Sequence, residues 1–261
     1  MRPIKDLPQA QAQGLRYLLH DIDDTITSGG KLPPEAYAAL WKLHDAGIRV
    51  IPVTGRPAGW CDLIVRQWPV DAVIGENGAF VCYPDEGGAP RMFVHSSVAS
   101  PQARERLAVV RDACLAGVPG CRVAKDQFAR LYDVAIDFCE DPPRLGLGEA
   151  QRIRDIAEGM GAQAKVSSIH VNIWFGEYDK MAMAKLFFER VWGKADLLQA
   201  GLFMGDSPND EPMFAAFPLS CGVANIRPFA DAMAHLPAYV TEGEGGAGFA
   251  EAAAHILAQR K

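Results

Sequence analysis

None of the six cysteines forms a C-x-x-C pair, so neither a thiolate zinc site nor a redox dithiol is written into the chain. They are expected as buried small apolar residues in a reducing compartment. No apolar run approaches the roughly 18 residues that span a bilayer. The opening "MRPIKDLPQAQAQG" is polar and lacks the hydrophobic centre of a secretory leader, which points to a cytoplasmic protein. Basic charge is not in excess either. With 26 Lys and Arg against 32 Asp and Glu, the net charge of −6 offers no sequence-wide attraction for nucleic acid or an anionic membrane. Internal repeats are missing, and low complexity is confined to the short tract "EGEGGAGF". What remains is ordinary globular composition, 49% apolar and 22% charged over 261 residues. That length holds one large α/β domain or a core with a smaller companion, as a monomer or homodimer.

Periodicity then divides the chain. "LRYLLHD" (15–21) and "IRVIPVTG" (48–55) read as buried strands. Between them Ala36, Ala39, Leu40 and Leu43 share one helical face, with Pro34 suited to the first turn and Gly47 to the stop. A helix over "PAGWCDLIVRQW" and a strand–turn–strand over "DAVIGENGAFVCY" follow. This β-α-β-α-β order predicts a parallel sheet with right-handed crossovers. After the loop "PDEGGAP" (84–90) the rhythm becomes α-β-β-α-β-β, the pattern of an antiparallel sheet with helices on one side. From 179 the first rhythm returns, with helices at 179–192, 208–216, near 229–235 and at 247–258 and strands at 201–205, 220–224 and 238–241. The expected fold is α/β, a doubly wound Rossmann-like parallel sheet core with an inserted α+β (αββαββ) cap. The boundaries are 1–84 and 176–261 for the core and 85–175 for the cap.

The stretch "LLHDIDDTIT" (18–27) crowds Asp21, Asp23 and Asp24 into four positions after an apolar run. Like charges this close repel unless a cation sits among them. Taken alone the stretch suits a solvated acidic turn as well as a cation site. Three more polar clusters fall at or after strand ends: "TGR" (54–56), "DK" (179–180) and "GDSPND" (205–210). Ligands of open α/β sheets bind at the carboxyl ends of strands. Asp21, Asp23, Asp206 and Asp210 can therefore converge on one hard divalent cation, and oxygen ligands suit Mg²⁺. Thr54 and Lys180 add hydrogen bonding and positive charge beside it.

The order D-x-D-x-T, T-G-R, a lysine and then G-D-S-x-N-D resembles the haloacid dehalogenase superfamily, mostly phosphatases acting through an aspartyl-phosphate. One helix and one strand fill the space between Thr25 and Thr54, whereas Thr54 to Lys180 has room for a cap. That resembles members with the cap inserted after the second motif. "GENGAFVCY" resembles the branch of Cof-type sugar phosphatases, sucrose-phosphatase and mannosyl-3-phosphoglycerate phosphatase. The resemblance implies Asp21 as nucleophile and Asp23 as general acid and base, a role that asks for a raised carboxyl pKa. It implies Asp206, Asp210 and the backbone carbonyl of Asp23 as further metal ligands, with Thr54 and Lys180 holding phosphate oxygens. The partner would be a small phosphorylated metabolite, a sugar phosphate in first place. Asp24 departs from the pattern, which has glycine there most often; a turn cap or a pairing with Lys31 is open to it.

Further candidates have bland alternatives. Gly55 and Arg56 of the T-G-R motif are substrate contacts, or Arg56 is a strand-end salt bridge. Glu76 and Asn77 contact substrate or simply form a turn. Asn209 orients Lys180 or phosphate, or caps a helix. In "SIHVNIWF" (168–175), period two puts Ile169, Val171, Ile173 and Phe175 on one face and Ser168, His170, Asn172 and Trp174 on the other. The first face would pack on cap helices. The second suits a sugar, unless it is merely solvated. Asp133 and Asp137 reach hydroxyls or stand exposed, and His20 is expected as a satisfied core histidine. Two rivals to the phosphatase stay open: a hexose-phosphate phosphomutase, and a non-enzymatic phosphoacceptor signalling module built on Asp, Thr and Lys.

Overall fold

A computed structural model describes residues 1–98 and 101–260. Six parallel strands form the central sheet in the order Arg2–Pro3, Tyr239–Val240, Ser220–Gly222, Gly201–Gly205, Tyr17–His20, Arg49–Pro52. Tyr17–His20 is buried at every residue, as its unbroken apolar run predicts for a strand covered on both faces. Alternate residues leave in opposite directions. Leu18, Val50 and Leu202 meet the helices Pro34–Asp45 and Gly245–Gln259 on one face. Leu19, Ile51 and Phe203 meet Lys180–Arg190 on the other. Each such buried side chain stabilises the fold by about 1.5–3 kcal/mol, and the two-sided cover makes the sheet doubly wound.

Register places the site. Leu19 pairs with both Ile51 and Phe203, so the three neighbouring strands end at one level. Asp21, Thr54 and Asp206 follow directly at that carboxyl edge.

The segment after Gly75 departs from expectation. Val73–Gly75, Phe80–Pro84 and Pro90–Val94 form a three-stranded antiparallel sheet. The loop 84–90 is its hairpin turn. The Asp85 carboxylate accepts from the N–H groups of Gly87 and Ala89, and Gly88 takes a left-handed φ of 80°. The expected boundary at 85 thus falls inside a hairpin. Pro90–Val94 carries little sequence signal, because its side chains are half-exposed to exposed and show no alternation.

The insertion carries the expected α-β-β-α-β-β order. Its antiparallel sheet runs Arg122–Val123, Val134–Asp137, His170–Trp174, Gln163–Val166. The helices Pro101–Gly117 and Leu147–Gly159 cover one face, packing on Val171, Ile173 and Phe175. Smaller elements differ from the sequence reading. The stretch 208–216 splits into a tight turn at Pro208–Asp210 and a helix Glu211–Ala216. The helix expected near 229–235 is a 3-10 run, Ala224–Ala232, with Pro228 inside it. Among the described residues no helix is long and apolar enough to cross a membrane.

Candidate active site

Asp21 continues the strand Tyr17–His20 by one ladder bond, its N–H donating to the Met204 carbonyl at 2.9 Å. The carboxylate is buried, and the Lys180 ammonium donates to its Oδ1 at 2.7 Å and to Asp210 Oδ1 at 2.8 Å. Lys180 opens a helix whose cap is Asp179, accepting from the Ala182 N–H at 2.7 Å. The cap fixes where the helix starts and so where the ammonium arrives. Asp210 Oδ2 accepts from the Asp206 N–H at 3.1 Å, and Thr25 Oγ1 donates to Asp206 Oδ1 at 2.9 Å. Thr25 is fully buried and holds the second acidic cluster to the first, a part that sequence reading left unassigned.

Oxygens of Asp21, Asp206 and Asp210 lie within 4.8 Å of one another. Burial pushes the Asp21 carboxyl up to about 7 despite Lys180 beside it, with Asp210 adding repulsion. Burial and Asp210 likewise hold Asp206 well above the carboxylate range. At Lys180 burial works against the charge, but Asp21 and Asp210 together outweigh it and raise its pKa. Three crowded oxygen donors under one ammonium fit a hard divalent cation such as Mg²⁺, which would relieve the remaining repulsion.

The Asp23 side chain does not join the three. It turns to Arg56, which donates through Nε to Oδ2 at 2.9 Å and through Nη2 to Oδ1 at 2.8 Å. The same Nη2 reaches Glu140 Oε1 across the seam at 2.9 Å, and the guanidinium lies 4.3 Å from the Trp60 ring centre. Arg56 is thus a bidentate bridge from the aspartate loop to the cap. Glu140 continues the chain to His170 Nε2 at 2.9 Å. The hydrogen bond from His170, and then Arg56, pull the Glu140 carboxyl down to about 2 against the effect of its burial. No sequence motif marked Glu140; its role comes from the cap closing over Arg56.

The remaining candidates separate into two groups. Thr54 Oγ1 accepts from the Arg56 N–H at 3.0 Å, which leaves its own proton to donate. Asn77 sits at a left-handed φ of 56° with a buried Nδ2 that has no partner. Gly55, Asn77, His170, Asn172 and Asn209 join Asp21, Asp23 and Arg56 in lining one cleft. Asn209 pairs with the Ser207 hydroxyl at 2.6 Å rather than with Lys180.

Glu76 and Trp174 stand apart. Glu76 is fully buried, and its carboxylate accepts from the N–H groups of Ala58, Leu131, Tyr132 and Asp133. It clasps the core to the cap and has no free oxygen for a substrate. Burial, with Asp133 beside it, pushes its carboxyl up to about 7, opposed by those N–H donors. Trp174 stacks on Tyr178 at 5.6 Å and lies outside the cleft, beside Lys180 and Met213. The polar face of its strand is not solvated: His170, Asn172 and Trp174 are all buried. Asp133 and Asp137 are buried too, paired with Arg130 and Arg122. His20 Nδ1–H donates to the Asp21 carbonyl at 2.7 Å, while its Nε2 is buried without a partner. Burial lowers its pKa to about 4.

Asp24 adopts a left-handed φ of 58°, which costs an L-residue about 1–2 kcal/mol and explains why glycine suits this position. Its N–H donates to Thr27 Oγ1 at 2.9 Å, and no ion pair joins it to Lys31 among the described residues. Burial raises its carboxyl above the usual range, while the Ser168 hydroxyl beside it works the other way.

The family model of haloacid dehalogenase-like hydrolases matches residues 18–98, from the acidic loop through the T-G-R motif and the hairpin. A curated phosphoglycolate phosphatase from Pyrobaculum aerophilum is 26% identical over 257 residues, covering 93% of this chain and 96% of its own. Among solved structures, Thermoplasma acidophilum 0175 superposes with a TM-score of 0.70 at 18% identity, over 93% of this chain and 98% of its own. The sucrose-phosphatase of Synechocystis, solved with sucrose and phosphate, gives 0.63 at 16%, over 94% and 98%. The two solved structures share with this chain a fold that extends through the insertion.

Proposed function

We propose that the protein is a Mg²⁺-dependent phosphatase of small phosphomonoesters, sugar phosphates foremost. The observation that carries this is Asp21 under the Lys180 ammonium, 2.7 Å away, with Asp206 and Asp210 at the same strand ends and Asp23 one turn along. That it is a phosphatase-type hydrolase rests also on the family match and on the phosphatase among its relatives. The metal and the substrate class are this reading's own.

Asp21 attacks phosphorus in line and takes the phosphoryl group as an aspartyl-phosphate, while the leaving oxygen receives a proton from Asp23. Asp23 then removes a proton from the water that hydrolyses the intermediate. Lys180 and the Thr54 hydroxyl hold equatorial oxygens of the transferring group. Bound to Asp21, Asp206 and Asp210, Mg²⁺ would neutralise charge on the phosphate and let two anions approach. Free space over Asp21 amounts to about 20 Å³, room for a single water, so substrate enters with the cap displaced and reaction follows closure.

The test is phosphate release from a panel of sugar phosphates, phosphoglycolate and p-nitrophenyl phosphate, with Mg²⁺ and with EDTA. Metal-dependent release is expected. Silence across the panel, with interconversion of hexose phosphates in the presence of a bisphosphate, would replace the phosphatase by a mutase.

A further inference from the structure

A cavity of about 250 Å³ opens beside Asp23. It shares Asp23, Arg56, Ser168 and Ile169 with the cleft over Asp21, so the two adjoin across these residues. A group leaving phosphorus beside Asp23 therefore has this cavity to occupy. Gly29 and Gly30 form part of its floor, both at left-handed φ, which brings backbone rather than side chains to the wall. Ser168 comes from the cap and Asp24 from the core.

The charges on the wall are unequally engaged. Arg56 is held by Asp23 and Glu140, and Glu140 is held in turn by His170. Arg144 lies exposed at the rim. Among the described residues no ion pair joins the Asp24 carboxylate, which has the Ser168 hydroxyl beside it. Asp24 holds a backbone conformation that glycine would adopt without strain, so the side chain is kept against a local penalty.

We propose that Asp24 is a specificity residue: its carboxylate accepts hydrogen bonds from hydroxyls of the leaving group and repels leaving groups that carry a carboxylate. The inference rests on the phosphatase reading and deepens it. Acceptance and repulsion act together, since a charged acceptor rewards a donor and penalises a second anion in the same place. It follows that a phosphorylated polyol or sugar is preferred over phosphoglycolate, in contrast to the activity named for the Pyrobaculum relative.

The experiment measures kcat/KM for glycerol 1-phosphate, glucose 6-phosphate and phosphoglycolate in the wild type, Asp24→Asn and Asp24→Gly. Asparagine keeps the turn and the shape; glycine removes the group and the backbone strain together. The ratio of hydroxylated substrate to phosphoglycolate is expected to fall roughly ten- to a hundredfold in Asp24→Gly. A smaller fall is expected in Asp24→Asn, which keeps a hydrogen-bonding side chain but loses the charge. An unchanged ratio in both variants would overturn the inference, as would an equal loss on all three substrates. A wild type that releases no phosphate from any of them, nor from p-nitrophenyl phosphate, would instead overturn the phosphatase reading beneath it.

Discussion

Two aspartates two residues apart, Asp21 buried and Asp23 partly exposed, are set to different tasks by what touches them. Asp21 meets an ammonium and two further carboxylates, whereas Asp23 meets a guanidinium that also holds the cap. The first environment favours a nucleophile beside a cation and the second a group whose orientation follows cap closure. Asp21→Asn keeps the shape and the Lys180 contact but removes the attacking oxygen's charge. Phosphate release should fall at least ~10³-fold while circular dichroism and thermal unfolding still report a folded protein. Turnover near the wild-type rate would exclude Asp21 as the nucleophile. Both aspartates were legible in the sequence, because D-x-D after an apolar strand is a local pattern. The partner of Asp23 was half legible. Arg56 stood in the T-G-R motif, but its contact with Glu140 crosses 84 positions of chain and no local pattern encodes it.

At the scale of elements, the seam between the sheet edge and the cap is polar and crowded. Glu76 clasps four N–H groups on one side, and the Asp23–Arg56–Glu140–His170 chain closes the other. Glu140 falls to about 2 in the folded protein from an ordinary value of 4.5. A carboxyl depressed in this way contributes stability above its unfolded pKa and loses it as pH falls through the folded one. The contribution is complete above about 4.5 and disappears on descent toward 2. Glu140→Gln should therefore flatten the acid limb of thermal stability over that window, as read by melting temperature against pH. An unaltered limb would mean that the His170 and Arg56 contacts contribute no linkage. The strands and helices were readable here where apolar residues recur on one face, as in Val171, Ile173 and Phe175. Their opposite face, expected to suit a sugar or to be solvated, is buried, with His170 paired to Glu140 and Asn172 to Asp133 and the Gly55 carbonyl. Pro90–Val94 and Arg2–Pro3 were missed because short edge strands carry little hydrophobic signal.

For the molecule as a whole, the closed cleft and the need to admit a phosphomonoester require the cap to travel. Gly59 on the core helix Ala58–Gln67 and Ala129 in the cap turn Lys125–Ala129 are in close contact across the seam. Cysteines at both positions are near enough to form a disulfide after a small local shift. Oxidation of that double variant should lower kcat/KM for glucose 6-phosphate severalfold or more, with recovery on reduction. Equal activity in both redox states would show that entry does not need this seam to open. The central sheet has a different consequence, one for how the chain is assembled. Tyr17–His20 waits for Gly201–Gly205, and Arg2 pairs with Tyr239 across 237 positions. Local helices and the inserted antiparallel sheet have partners close by and can form as they leave the ribosome. The six-stranded sheet cannot, because its middle is completed only by the returning segment. Closing such long loops slows folding, so the first strand to be synthesised stays unpaired longest and is the stretch most exposed to misassociation during biogenesis.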